Sequence, residues 1–287
     1  MKARAFKYER VSTIAQALAA HAAADGDAAF IAGGQSLIPS LALRLQAPGV
    51  LIDIAHIDAL RGVSVEGDAL RIGALTRHAE MLENPLIASH APLLALAAPF
   101  VAHPAIRNRG TIGGSVALAD PAAEFPTVLL ALRARFEIVG AGGARMVEAD
   151  DFFRDLFETA LEPGELLAAV HVPCARDTDR CAFDELAVRR GDYGLVGCAA
   201  RVGLDSAGRV TDAGIAFLSV GPKPTRATSV ERTLIGGALD EAAIRSAQAA
   251  LDSDIDPPED DRTPATMRRR LARVLLGRTL QRLGGAA

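Results

Sequence analysis

The sequence predicts a fold of helices and strands, in which a first part that mixes the two precedes a second part dominated by antiparallel strands. Short apolar runs at residues 28–32 and 50–54 flank a loop and a helical segment, a pattern typical of two buried strands. Gly67-Asp68 separates two further strand-like runs, and such a pair favours a hairpin turn. Three strand patterns with short connections, which indicate an antiparallel meander, follow at residues 183–189, 195–204 and 212–219.

The N-terminal elements begin with a helix. Thr13 and Gln16 have the spacing of a capping box, which predicts a helix over residues 13–24 that ends near Asp25-Gly26. The apolar run that follows stops abruptly at Gly33-Gly34. Because a second buried run lies further on, we expect a strand, a loop, a helix and another strand in that order.

The central part predicts both helices and strands. Residues 86–102 are nearly all apolar or small and form one or two buried helices that prolines interrupt, and residues 122–132 form another helix. A glycine-rich turn joins strand-like residues 136–139 and 145–148, and a further strand is expected at 165–172.

A polar segment at residues 175–180 predicts the boundary between two domains, at 1–175 and 176–287. After the meander we expect two helices. Thr263 and Pro264 suit the start of the last one, and Gly284 suits its end. Its expected apolar face comprises Met267, Leu271, Val274, Leu275 and Leu280. Its expected solvated basic face comprises Arg268, Arg269, Arg273 and Arg282.

Composition excludes several functional classes. The formal charge of -4 without a long basic block argues against nucleic-acid binding. No uncharged apolar run reaches the roughly 18 residues that suggest a membrane span, and charged residues interrupt the N-terminus, so we expect a cytoplasmic protein. The histidines lack the spacing of metal ligands, and three irregularly spaced cysteines are too few for an iron–sulfur centre: Cys174, Cys181 and Cys198.

The first segment with binding chemistry is Ala32-Gly33-Gly34-Gln35-Ser36-Leu37. Two adjacent glycines after a strand permit positive φ, and consecutive backbone N–H groups can then converge on an anion such as a pyrophosphate. Gln35 and Ser36 add side-chain donors. An ordinary tight turn is the alternative explanation for this segment.

The second segment, Thr111-Ile112-Gly113-Gly114-Ser115, repeats this arrangement and is followed by Asp120 and Glu124. Thr111 and Ser115 can donate to a phosphate, whereas the two carboxylates suit sugar or ribityl hydroxyls. Either segment alone is compatible with a structural turn. Two of them in one domain favour an extended dinucleotide. A third glycine cluster at residues 140–145 lacks the third glycine of the Rossmann fingerprint and is expected to be only a turn.

The pairing of residues 32–39 with 106–115 resembles the medium, FAD-binding subunit of the xanthine dehydrogenase and carbon monoxide dehydrogenase family. The resemblance extends over nearly the whole chain, in ordered segments at 51–54, 70–74, 163–167, 190–193 and 220–222. It implies an α+β fold with a two-subdomain FAD-binding domain of the molybdenum hydroxylase flavoprotein type, with subdomains of about 1–58 and 59–175. A C-terminal flavoprotein domain of antiparallel sheet with helices is implied for 176–287.

The resemblance also implies roles for individual residues. The two glycine segments would hold the FAD diphosphate, and Asp120 and Glu124 would support the polar chain of the flavin. Tyr193 would approach the isoalloxazine ring, and Leu167 is a weaker candidate for an apolar contact with it. The chain departs from the family at Leu118, where histidine is frequent, at Glu124, where aspartate is common, and at Glu185, near which a basic residue is frequent.

As a family member, the chain would take electrons from an iron–sulfur small subunit and pass them to quinone, NAD or another acceptor. The hydroxylation would occur at molybdopterin in a large subunit, in a dimer of heterotrimers. The substrate remains open between carbon monoxide, an aldehyde, a purine and another N-heterocycle. Two alternatives stay open as well: a stand-alone flavin oxidoreductase of related fold, and an assembly subunit that has lost its flavin.

Overall fold

The structure, a computed structural model, describes residues 2–285, so Met1 and residues 286–287 of the predicted domains lie outside it. Its N-terminal part is a three-stranded parallel sheet in the order β1-β3-β2. The elements are β1 (Lys7–Arg10), α1 (Ile14–Ala23), β2 (Ala28–Ile31), α2 (Leu37–Leu43) and β3 (Val50–Asp53). The predicted order of strand, loop, helix and strand is therefore confirmed for β2, α2 and β3.

Local capping starts α1 as predicted. The Thr13 side chain accepts a hydrogen bond from the Gln16 N–H, while the Gln16 side chain accepts from the N–H of Ser12 rather than that of Thr13. Strand β1 was not predicted. Its residues are largely exposed, and it is a strand because Lys7 to Arg10 pair with Val50 to Asp53 of β3.

The central part contains an antiparallel five-stranded sheet in the order β4-β5-β10-β6-β7. The two predicted hairpins are confirmed, because β4 pairs with β5 and β6 pairs with β7. The prediction of a turn within residues 140–145 is confirmed as well, since these residues join β6 to β7. The strands are β4 (Val63–Glu66), β5 (Ala69–Gly73), β6 (Arg135–Gly140), β7 (Gly143–Glu148) and β10 (Leu166–Pro173), with a separate pair β8 (Phe153–Asp155) and β9 (Glu158–Thr159).

Short helices cover this sheet and bury its apolar face in the largest core cluster. The helices are α3 (Glu80–Glu83), α4 (Pro85–His90), α5 (Pro92–Ala97), α6 (Pro104–Arg107), α7 (Ile112–Leu118), α8 (Glu124–Ala131) and α9 (Ala149–Phe152). Prolines begin α4, α5 and α6, which confirms that prolines divide the apolar stretch. The second glycine pair lies inside α7, a helix that was not predicted because glycine is unfavourable in helices.

The C-terminal part is an antiparallel sheet in the order β11-β12-β13-β14, which confirms the predicted meander. Its elements are β11 (Asp179–Ala187), β12 (Gly194–Leu204), β13 (Val210–Leu218), β14 (Thr225–Arg226), α10 (Thr228–Leu234), α11 (Glu241–Ala250) and α12 (Ala265–Leu283). Three helices follow the meander within residues 2–285, so the prediction of two was wrong. None of the helices in this range is both long and apolar enough to cross a bilayer.

The buried and exposed faces of α12 differ from those predicted. Met267 and Val274 were expected in the core, but they are 49% and 40% exposed. Arg268 was expected on the solvated face, but it is buried and donates to the carbonyls of Leu195 and Ser219 and to the carboxylate of Asp260. The helix packs against both β11 and β12, so the face that it buries differs from the face that its apolar residues predicted.

The central and C-terminal parts meet closely along α8 and β13. A Cβ on Gly214 would lie 2.0 Å from the carbonyl oxygen of Ala131, so only glycine permits this approach. Arg133 extends the contact, since its guanidinium donates to Ala213 O at 2.7 Å and pairs with Asp212 at 3.0 Å. At the other end of α8, the Ser219 N–H donates to the carbonyl of Pro121 at 2.8 Å, which holds the turn that contains Asp120 beside the C-terminal sheet.

Candidate functional site

The first glycine segment forms the junction between β2 and α2. Gly34 has φ +70, in the left-handed region that favours glycine. The backbone N–H groups of residues 33–37 donate to no protein acceptor within residues 2–285. Unpartnered N–H groups at a strand-to-helix turn attract anions, because each is a donor and together they form a positive concave surface.

This junction lines a cavity of about 550 Å³, a size typical of small-molecule sites. Three arginines, Arg61, Arg77 and Arg109, lie on its wall, and they were not among the predicted site residues. Their guanidinium groups are suited to phosphate oxygens. The predicted residues that line the cavity are Ala32, Gly33, Gly34, Gln35 and Thr111.

Asp53 is a further cavity residue that the sequence did not identify. It ends β3, is only 8% exposed, and accepts hydrogen bonds from the Tyr8 hydroxyl and from the Ala55 N–H. Ligands of parallel sheets bind beyond the carboxyl ends of the strands, so this carboxylate lies where a ligand hydroxyl can reach it. Only its position at the end of a short apolar run could have indicated this role.

The second glycine segment differs from the first because its N–H groups are engaged. Ile112 and Gly113 donate to the carbonyls of Thr76 and Ala74, at 3.0 and 2.9 Å. The Gly114 N–H donates to the side chain of Thr111, which caps α7 at 3.1 Å. These bonds indicate that much of this segment serves packing. Its predicted contact with a phosphate stays a prediction.

The two glycines of this segment have opposite surroundings. A Cβ on Gly113 would lie 2.5 Å from the Cβ of Ala74, so Gly113 is required for close packing. A Cβ on Gly114 would meet only the Thr111 hydroxyl, at 3.0 Å, and Gly114 is exposed. Gly114 therefore leaves open space that a ligand can use.

A buried polar pair lies behind the second segment. His78 is 7% exposed, packs edge-on against Phe125 at 5.0 Å, and neither ring nitrogen has a hydrogen-bond partner within residues 2–285. The hydroxyl of Thr76, two residues earlier in the chain, also lacks a partner in this range. Burial lowers the pKa of His78 to about 4, and the positive charge of Arg107 contributes. The imidazole is therefore neutral at physiological pH.

The predicted carboxylates, Asp120 and Glu124, occupy the turn before α8 and its first residue. Burial, together with the charge of Asp120, raises the pKa of Glu124 to about 7. Glu185 of β11 interacts with Glu124, and its pKa is raised to about 8, first by burial and then by that charge. Partial desolvation, and then the charge of the neighbouring Asp120, raise the pKa of Tyr193. These interactions bring Tyr193 of the C-terminal part beside the acidic turn.

The remaining predicted residues are more scattered. Tyr193 is 72% exposed on the loop between β11 and β12, whereas Leu167 is 5% exposed within β10 and belongs to the main core. Ser36 and Leu37 begin α2 beside the cavity, and Ser115 lies in α7. The contact of Leu167 with a flavin ring stays a prediction, as does the role of each other predicted residue.

The residues present fit FAD. The free N–H groups and the arginines suit its diphosphate, Asp53 suits a ribose hydroxyl, and the space over Gly114 is a cradle that a side chain would fill. Bound FAD would supply the electron-accepting chemistry, and the protein would supply binding, orientation and electrostatics.

Comparisons with known proteins agree with this fit. The profile of the "FAD binding domain in molybdopterin dehydrogenase" matches residues 4–175, and that of the "CO dehydrogenase flavoprotein C-terminal domain" matches 181–283. The alpha subunit of the 6-hydroxypseudooxynicotine dehydrogenase complex of Paenarthrobacter nicotinovorans is 38% identical, over 98% of this chain and 95% of its own. The carbon monoxide dehydrogenase medium chain of Afipia carboxidovorans is 35% identical, over 96% of both chains.

Solved structures show the same fold. A chain of carbon monoxide dehydrogenase from Hydrogenophaga pseudoflava superimposes with a TM-score of 0.96 at 34% identity, over 100% of both chains. A chain of quinoline 2-oxidoreductase from Pseudomonas putida gives a TM-score of 0.94 at 35% identity, over 100% of this chain and 99% of its own. The predicted α+β flavoprotein fold is confirmed. This chain belongs to the family of FAD-binding medium subunits of multi-subunit molybdenum dehydrogenases and hydroxylases, in which it has the electron-transfer role.

Proposed function

We propose that the chain binds FAD noncovalently, with the diphosphate on the N–H groups of residues 33–37 and an adenosine hydroxyl at Asp53. The observation that carries this proposal is the row of N–H groups without protein acceptors within residues 2–285, facing a cavity with three arginines on its wall. An anion there replaces the hydrogen bonds that the backbone does not make internally.

The flavin end is assigned to the junction of the central and C-terminal parts. Asp120 and Glu124 would accept hydrogen bonds from ribityl hydroxyls, and Tyr193 and Leu167 would contact the ring. Segment 111–115 would close the space between the two ends, with Gly114 as its open position. This arrangement agrees with the proposed domain division, in which subdomains 1–58 and 59–175 together face the domain at 176–287.

We also propose that an iron–sulfur small subunit and a molybdopterin large subunit complete the enzyme, as a dimer of heterotrimers. The chain has only three cysteines, so iron–sulfur clusters have to come from a partner. The names of the relatives, a complex subunit and a medium chain, support a multi-subunit assembly.

The test is to tag the chain in its native host, purify it gently and assay for iron, molybdenum and substrate-dependent reduction of the flavin. Denaturation should release FAD into solution, and both metals should co-purify. A chain that emerges free of both metals and itself oxidises a small substrate supports a stand-alone flavoenzyme instead. A colourless chain that FAD cannot reconstitute supports the flavin-free assembly subunit.

A further inference from the structure

Residues 102–110 connect the two ends of the proposed site. At one end, a Cβ on Gly33 would lie 2.1 Å from the carbonyl oxygen of Arg109, so the first glycine segment rests directly on this backbone. At the other end, a Cβ on Gly191 would lie 2.5 and 2.6 Å from the Cε1 and Nδ1 atoms of His103. Both loops therefore touch one short segment, which contains α6.

The turn that presents His103 is held in an unusual conformation. Ala102 has φ +43, in the left-handed region that residues with a Cβ rarely adopt. The Arg107 guanidinium donates to the carbonyls of Val101 and Ala102, both at 2.8 Å. Such a backbone conformation persists only where its surroundings fix it. These two hydrogen bonds therefore fix the position of the His103 backbone, from which its side chain extends.

The loop that meets His103 projects from the surface. Val188 and Tyr193 are 74% and 72% exposed, and within the loop the Asp192 N–H donates to Arg189 O at 3.1 Å. Gly191 has φ +87 and lies against the imidazole two residues before Tyr193. A ring that touches the loop at this point limits how far Tyr193 can move toward the body of the protein.

The same two parts of the chain also touch below the loop. Phe100 packs edge-on against Phe183 of β11, with ring centroids 5.1 Å apart. That contact fixes the strand that leads into the loop, while the contact of His103 with Gly191 lies at the exposed end. Loss of the second contact alone should free the loop without separating the two parts.

We propose that His103 is a positioning residue for Tyr193: its ring, packed on Gly191, sets the place at which the tyrosine meets the isoalloxazine. This inference rests on the proposed function, which puts the flavin ring beside Tyr193. Since the Arg109 end of the segment supports the diphosphate loop, residues 102–110 also set the spacing between the two ends of the cofactor site.

The test measures the fluorescence of bound FAD in the holoprotein, because an aromatic ring against the isoalloxazine quenches its emission. Iodide quenching reports the exposure of the flavin, and the FAD-to-protein ratio reports retention. Tyr193→Ala should raise the emission severalfold. His103→Ala should raise it in the same direction while FAD stays bound. His103→Phe, which keeps a ring against Gly191, should restore the parent emission.

A double-mutant cycle separates positioning from general loosening. In the Tyr193→Ala background, His103→Ala should add no further change, because the residue on which it acts is absent. An equal rise in both backgrounds, or parent emission in His103→Ala alone, overturns the proposal. His90→Ala, at the end of α4, is the matched histidine control and should keep parent emission.

Two outcomes distinguish this inference from the proposed function. If the parent protein holds no FAD and cannot be reconstituted, the proposed function fails and the inference falls with it. If FAD is bound and Tyr193→Ala leaves its emission unchanged, Tyr193 does not face the ring. In that case only the positioning role is overturned, and FAD binding stands.

Discussion

The two glycine segments look alike in sequence but differ in structure. In the first, the N–H groups of residues 33–37 lack protein acceptors within residues 2–285, and a cavity faces them. In the second, the N–H groups of residues 112–115 all donate within the protein. A glycine pair beside hydroxyl residues therefore does not specify one role. The first segment is free to bind an anion, and the second mainly joins α7 to residues 74–76.

The largest expected effect is at Gly114, the open position of the second segment. Gly114→Val should fill the space over this position and displace FAD, and the loss of two charge-assisted hydrogen bonds between its diphosphate and residues 33–37 would weaken FAD binding by about 3 to 6 kcal/mol. FAD titration of the apoprotein measures this, with the melting temperature as a check on folding. Gly142→Val, at a hairpin position with nothing near its Cβ, is the control. Equal FAD affinity in Gly114→Val and the parent would show that no ligand approaches this segment.

The packing behind the second segment should make stability depend on pH through His78. Because its folded pKa is lowered to about 4, the unfolded chain binds the proton more readily below the ordinary pKa of about 6.5. Stability should therefore fall by about 3 kcal/mol as the pH is lowered from 7 to 4. His78→Leu should remove this contribution, whereas His56→Leu, at an exposed histidine, should keep it. Urea unfolding at several pH values measures the free energy of unfolding of each variant. The same dependence of that free energy on pH in His78→Leu and the parent would contradict this prediction.

Gly113 should behave differently from its neighbour. Gly113→Ala places a methyl group against Ala74, and overpacking of this kind costs about 1 to 3 kcal/mol of unfolding free energy. Urea unfolding of the apoprotein measures the loss, with Gly142→Ala as the control. If Gly113→Ala keeps full stability and loses FAD instead, Gly113 contributes to FAD binding and not to packing, as Gly114 does.

The smallest expected effect tests the first segment's cavity. Tyr8→Phe removes the hydroxyl that donates to Asp53, and one such hydrogen bond contributes about 1 kcal/mol, so FAD should bind roughly fivefold more weakly. Glu9→Gln on the same strand, where the carboxylate pairs with Lys7, should leave the affinity unchanged. Unchanged affinity in Tyr8→Phe would show that the Tyr8 hydroxyl does not hold Asp53 in place for the ligand.

Local patterns predicted much of the fold. Thr13 capped its helix, proline positions divided the apolar stretch before α6, and Gly67-Asp68 formed the turn between β4 and β5. Each of these features depends on neighbours in the chain, through capping bonds, a missing N–H or a permitted φ. The ordered family segments then predicted the cofactor and the electron-transfer role.

Features that depend on distant residues were missed. Strand β1 carries the polar sequence Lys7 to Arg10 and exists because β3 pairs with it. Arg268 has the appearance of a surface residue, yet carbonyls of Leu195 and Ser219 bury its charge. The cavity arginines are far apart in sequence, and no local pattern relates them.

The sequence alone determined the fold class, the family and the two segments with glycine pairs, because these follow from short-range patterns and their order. Only the tertiary structure decided which segment has free donors and which is packed. That difference depends on whether another backbone lies within hydrogen-bonding distance. Residues 74–76 reach the second segment, whereas beside residues 33–37 the chain leaves a cavity.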